Sequence, residues 1–122
     1  MNSPLRSELN HCCCGDVVVD GERVEQSFIL PESFIGFGGH FPGYPIVPAV
    51  IQVLMAQLVA EQGQLISHAP TAVERAKFHR QLRPAERIDI CCVAKMVRGK
   101  AVIDATLHVG DELASSFWLT SV

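Results

Sequence analysis

Apolar and polar positions along this chain change period several times, and each change marks an element. "VVVDGERVEQSFIL", residues 17–30, is two β-rich runs around Asp20-Gly21. That dipeptide accepts the positive φ of a type I′ turn and predicts a hairpin. "PESFIGFGG" reads as loop. From Pro48 to Gln62 the apolar residues Val50, Ile51, Val53, Leu54, Met55, Leu58 and Val59 nearly encircle a helix. Proline suits its first turn and Gly63 its C-terminal cap. A helix apolar all round is expected to be fully buried.

The rest reads as a β meander. Strands are predicted near Ala72–His79 and Glu86–Val97, followed by a turn at Arg98-Gly99. "AVIDATLHV" then alternates apolar Ala101, Ile103, Ala105, Leu107 and Val109 with Asp104, Thr106 and His108, Val102 breaking the polar set. Gly110-Asp111 turns into a last strand, "LASSFWLTSV". Two strands, one buried helix and three or four strands predict an α+β architecture in which an antiparallel sheet wraps a single long helix. Such a sheet leaves edge strands that dimerisation can pair.

With 122 residues, the chain is expected to form one domain over 1–122. Its 48% hydrophobic content is high for a small protein, so part of the apolar surface is expected to lie against another copy. No window reaches the roughly 18 apolar residues that cross a bilayer, and "MNSPLRSELNHCCCGD" lacks an apolar signal core, so a cytoplasmic protein with no membrane association is expected. Five cysteines in two runs, Cys12-Cys13-Cys14 and Cys91-Cys92, lack metal-ligand spacing and are read as reduced, buried strand residues. The net charge of −3 hides an asymmetry. Residues 1–62 carry two basic and seven acidic side chains, residues 63–122 eight and six. Lys77, Arg80, Arg83 and Arg87 in "AKFHRQLRPAER" form a candidate landing patch for an acidic partner; no basic-aromatic interleaving suggests nucleic acid.

The stretch "FGGHFPGYPIVPAVIQVLMAQ" carries the candidate chemistry. His40 follows two glycines, which let backbone approach a substrate closely, and stands ahead of an almost uncharged helix. Histidine titrates near neutrality and can act as a base. Tyr44, between Gly43 and Pro45, either gates the mouth of a tunnel or packs over the turn. His11, His68, His79 and His108 share no metal-ligand spacing, and His79 is read as a surface residue.

His40, Phe41, Pro42, Gly43, Pro45 and Pro48 stand in register with the motif H-F-P-G-x-P, two residues, P-G, four residues, then Glu or Asp. The chain thereby resembles the hotdog-fold 3-hydroxyacyl-[acyl-carrier-protein] dehydratases, from about Ser27 to Val122. "AKFHRQLRPAERIDI" resembles that family's later strand block, K-F-R-x-x-V-x-P-G-D; the N-terminal "MNSPLRSELNHCCC" does not match its L-P-H-R-x-P segment. The resemblance implies that His40 is the base, that the Ala49 amide receives the thioester oxygen and that the Ile46 carbonyl orients the imidazole. Gly39 and Tyr44 would flank the site. It implies an acyl-carrier-protein or CoA thioester as substrate, no cofactor or metal, and a homodimer or higher oligomer whose sites lie between chains. Lys77, Arg80, Arg83 and Arg87 would then receive the carrier.

The family's acid is missing. The register puts Leu54 in its place, or Val53 if one residue is deleted, and neither can donate a proton. Gln52 could hold a water or hydroxyl; Glu61, two turns beyond Leu54, is roughly 10 Å away along the axis. Glu32 and Asp104 have no positional support. Three functions remain open: a dehydratase with a reduced site, a half-site subunit pairing with an acid-bearing relative as a heterodimer, and a hotdog thioesterase.

Overall fold

The computed structural model describes residues 4–34, 46–66, 70 and 72–120. In chain order the elements are α1 (Pro4–His11), β1 (Cys13–Asp20), β2 (Arg23–Ile29), α2 (Ala49–Gln62), β3 (Ala72–Phe78), β4 (Arg87–Val97), β5 (Lys100–Val109) and β6 (Glu112–Thr120). The strands form one sheet in the order β1-β2-β4-β5-β6-β3, with every pairing antiparallel. The chain leaves β2, runs through α2 and returns as β3 at the far edge. The 79–86 loop then brings it back to β4, between β2 and β5.

Strand alternation puts one apolar row per strand toward α2. Phe28 from β2, Ile88, Ile90 and Cys92 from β4, Ala105 and Leu107 from β5, and Phe117 and Leu119 from β6 are buried there. The opposite face is polar, with Ser27 Oγ donating to Asp89 Oδ1 at 2.5 Å and Lys95 Nζ to Asp104 Oδ2 at 2.7 Å.

The predicted hairpins are present, the turns at Arg98-Gly99 and Gly110-Asp111 fall where expected, and only the first turn is shifted. Asp20 pairs with Arg23, so the central residues are Gly21 and Glu22, and of these only Gly21 has positive φ (59°). That excludes type I′, which needs positive φ at both. Arg98 (φ 52°) and Gly99 (φ 79°) do satisfy it between Val97 and Lys100. β1 begins at Cys13, earlier than residue 17, because a bulge between Cys14 and Val18, with Gly15 at φ 74°, lets Cys13 and Cys14 pair with Phe28 and Ser27.

α2 differs from the expectation of complete burial. Ile51, Gln52, Met55, Ala56, Leu58, Val59 and Ala60 are buried, but Val50 is 71% exposed and Val53 and Leu54 are half-buried. The sheet covers one side of α2. Along another stripe, Arg6 of α1 pairs with Glu61, and Gln57 Nε2 donates to Glu61 Oε2 at 3.0 Å. α1, not foreseen from the sequence, is anchored there by fully buried Leu9.

Gly63 is the C-cap residue of α2, as expected, but the left-handed conformation falls on the residue after it. The Leu65 N–H bonds to the Ala60 carbonyl (2.9 Å) and the Gln64 N–H to the Glu61 carbonyl (3.0 Å), a Schellman motif whose left-handed residue is Gln64, φ 59°. Gly63 has an ordinary φ of −90°. It is needed for space: a Cβ there would lie 2.0 Å from Val24 Cγ2, and Val24 is fully buried in β2. Neighbouring substitutions should therefore act with opposite signs. Gly63→Ala is expected to destabilise by about 1–3 kcal/mol through overpacking. Gln64→Gly is expected to stabilise by about 0.5–1 kcal/mol by relieving the left-handed backbone. Urea midpoints of the two variants check both; equal midpoints would refute the assignment.

Candidate active site

The start of α2 is built from the segment Ile46–Ala49. Pro48 occupies the N-cap with φ −61° and ψ 155°, and its carbonyl accepts from the Ile51 and Gln52 amides at 3.0 and 3.1 Å. The N–H groups of Ala49 and Val50 precede the first helical acceptor, so the helix itself provides them no partner. The first turn holds no acidic side chain, which leaves the positive end of the helix dipole unquenched. Ala49 is exposed and Ile46 half-buried. An electropositive pair of N–H groups without a helical acceptor can receive an oxygen on which negative charge develops.

Gly39, His40 and Tyr44 lie outside the described residues, as does His68. Their relation to Ala49 therefore rests on the motif register. Leu54 is half-buried one turn beyond exposed Val50, with Val53 half-buried beside it. Whichever register is used, the acid's place is apolar and lies at the margin of the surface left by the sheet.

Gln52 does not present a free amide. Its Nε2 donates to the Val47 carbonyl at 3.1 Å and its Oε1 accepts from Ser115 Oγ at 2.7 Å. Both ends of the side chain are directed into the fold. Of the other carboxylates weighed, Glu61 is engaged by Arg6 and Gln57, Asp104 pairs with Lys95, and Glu32 is exposed in the turn after β2. His79 is exposed, as the sequence indicates, and His108 sits half-buried on the polar face.

The four basic residues do not make one patch. Lys77 is exposed on edge strand β3, while Arg87 opens β4, bonded to Asp89 at 3.1 Å and to Ser27 Oγ at 3.4 Å. Three strand spacings, at least about 14 Å, separate them. Arg80 pairs with Glu86 at 2.5 Å and with Glu112 at 3.5 Å. The loop carrying Arg80 and Arg83 touches the start of α2 directly, because the Val47 N–H donates to the Leu82 carbonyl at 2.8 Å. Arg80 and Arg83 thus stand beside the candidate site, and Lys77 and Arg87 stand apart from it.

All five cysteines are free, but only Cys92 is buried; Cys12, Cys13, Cys14 and Cys91 are half-buried, and Cys12 lies in the turn before β1 rather than in a strand. Burial pushes the Cys92 thiol up to about 12, its S–H lying 3.4 Å from the Ala56 carbonyl. Burial also raises Cys12, Cys13 and Cys91. These thiols stay protonated and are poor nucleophiles. A groove of about 550 Å³ on the polar face, walled by Cys14, Arg23, Asp89 and His108, is remote from the start of α2. A second cavity, about 430 Å³ beside Leu65, Met96 and Leu119, lies at the opposite end of the helix.

A family model described as ApeI-like, ApeI dehydratase, matches residues 16–116. The chain belongs to the ApeI-like dehydratase family. The match takes in the first hairpin, which the motif resemblance from Ser27 onward left out. Relatives at similar distance carry the family's chemistry in their names. The 3-hydroxyacyl-[acyl-carrier-protein] dehydratase FabZ of Psychrobacter arcticus is 34% identical over 93 residues, 66% of this chain and 62% of that protein. FabZ of Alkaliphilus metalliredigens is 35% identical over 96 residues, 69% of this chain and 63% of that protein. The matched region thus spans less than two thirds of either relative.

Among solved structures, the dehydratase heterocomplex ApeI:P from Xenorhabdus doucetiae superposes with a TM-score of 0.68 at 20% identity, over 83% of this chain and 88% of that one. Zebra fish thioesterase superfamily member 2 does so with a TM-score of 0.69 at 13% identity, over 98% and 87%. At these identities the likeness is one of fold, and the fold is the α+β hotdog. No helix among the described residues is long and apolar enough to cross a membrane.

Proposed function

We propose that this chain is a dehydratase acting on 3-hydroxyacyl thioesters, carried on acyl carrier protein or CoA, with a site in which His40 is the only proton-transferring side chain. The observation that carries the reading is the coincidence of two features. The chain's match to the family's histidine motif runs to Pro48, and Pro48 is the N-cap of a helix whose first N–H groups have no helical acceptor.

The His40 imidazole takes a proton from C2 of the substrate. Negative charge moves to the thioester oxygen, which accepts a hydrogen bond from the Ala49 N–H. The Ile46 carbonyl keeps the imidazole oriented. The C3–O bond then breaks, and the hydroxyl departs as water with the proton returned from the His40 imidazolium. A trans-2-enoyl thioester remains, and atoms and charge balance without a cofactor.

Dimerisation fits the uncovered apolar surface. Val50 on α2 and Val73 and Phe78 on edge strand β3 are exposed at 71, 43 and 44%. The basic loop with Arg80 and Arg83 adjoins the helix start and suits an acidic carrier. Free thiols and an odd cysteine count suit a reducing, cytoplasmic compartment.

A second reading makes the chain a half-site subunit that takes its acid from a related hotdog chain. It is favoured by apolar Leu54 and Val53 and by the heterocomplex formed by one structural neighbour. The thioesterase reading requires a carboxylate to activate water, and Glu61, the one carboxylate on α2, is held by Arg6 and Gln57.

Ultraviolet absorbance of the enoyl thioester, followed from both directions with purified protein, tests the proposal. Slow reversible hydration by the homodimer supports the first reading. Turnover only after an acid-bearing hotdog chain is added supports the second. Release of free thiol instead of enoyl product would point to hydrolysis and refute both.

A further inference from the structure

Gln52 and Ser115 are 4% and 0% exposed, a polar pair inside an otherwise apolar core. Burying two such groups costs desolvation, and an apolar pair of matching shape would fill the space at no loss in stability. The use of this pair lies in what it holds. Gln52 Nε2 bonds the Val47 carbonyl, and Ser115 Oγ on β6 bonds Gln52 Oε1. The Val47 N–H is taken by the Leu82 carbonyl. Val47 is therefore gripped through both backbone groups, from β6 on one side and from the 79–86 loop on the other. Ile46 and Ala49 flank that fixed residue, and the Pro48 carbonyl between them is bonded by two α2 amides.

We propose that Gln52 and Ser115 are positioning residues of the acyl-thioester site. Through Val47 they fix the segment from which the Ala49 N–H and the Ile46 carbonyl reach the substrate and the base. The inference rests on the functional reading above. An oxyanion donor must sit about 2.7–3.1 Å from the developing charge, and a misplacement of about 1 Å can cost about 10²-fold in rate. A helix start tied only by its own backbone would not hold that tolerance.

The test uses a carbonyl-labelled trans-2-enoyl thioester bound to the wild type, Gln52→Leu and Ser115→Ala, with thermal melting to confirm that each variant is folded. In the wild type the infrared carbonyl stretch of the bound thioester should move to lower frequency, because the Ala49 N–H polarises it. Gln52→Leu should lose most of that shift while binding with similar affinity. Its kcat should fall by up to about 10²-fold with KM changed less than about threefold. Ser115→Ala, which keeps the Gln52–Val47 bond, should fall between, and it carries the same readout if Gln52→Leu fails to fold. An undiminished carbonyl shift in the folded variants would overturn the positioning role and leave the functional reading standing. A wild type that binds no enoyl thioester would sink that reading and the inference with it.

Discussion

Leu54→Glu is expected to raise the dehydration rate of the homodimer by about 10²–10⁴-fold, or roughly 3–5 kcal/mol of barrier. The motif register puts Leu54 where the resemblance implies an acid, and the side chain is half-buried one turn beyond exposed Val50. Apolar neighbours raise the pKa of a carboxyl, because the charged form loses solvation. The protonated form therefore persists toward neutral pH, which is the form that can donate to the departing hydroxyl. The same shift sets the stability cost. A carboxyl whose folded pKa is raised destabilises the fold as pH climbs from about 4.3, the unfolded value, through the folded pKa. Melting temperature of the variant relative to wild type should thus fall from mildly acidic to neutral pH, and its rate advantage over wild type should be largest at the acidic end, where the carboxyl is protonated. Initial rates and melting curves across that range check both signs. Wild-type homodimer already turning over at about 10 s⁻¹ would show that no acid is missing. A folded but inactive Leu54→Glu would show that the site lacks more than its acid.

His40→Ala is expected to lower any dehydratase activity by at least about 10²-fold, the scale of a positioned general base. His40 must be neutral to accept the C2 proton. Wild-type kcat/KM should rise with pH as the imidazole loses its proton. In Leu54→Glu an alkaline decline should appear as well, as the new carboxyl ionises, giving a bell. Activity indifferent to His40→Ala would remove the proposed base, and a flat wild-type profile would do the same.

Much of the hotdog architecture is legible in the residues alone. Asp104, Thr106 and His108 alternate with Ile103, Ala105 and Leu107 because successive strand residues face opposite sides, and the pattern needs no knowledge of the partner strands. Arg98-Gly99 marks its turn because that backbone accepts positive φ. The family motif runs up to Pro48, which caps α2, so the chemistry and the helix start are read together.

Other features belong to contacts distant in sequence. α1 gives almost no periodic signal, since its one fully buried residue, Leu9, is defined only by its place in the tertiary core. Gly63 reads as a conformational cap, yet its requirement comes from Val24 on β2, 39 residues earlier, whose methyl occupies the space a Cβ would take. Gln52 reads as an available amide until Ser115, 63 residues away, is seen bonded to it. The basic cluster reads as one patch because its members are neighbours in sequence, but the return from β3 to β4 across three strand spacings separates Lys77 from Arg87. The apolar residues that nearly encircle α2 carry no mark of which side its own sheet leaves uncovered. Periodicity encodes which face of an element is apolar; the tertiary structure decides what meets that face, because shape and hydrogen-bond complementarity arise only between segments that folding brings together.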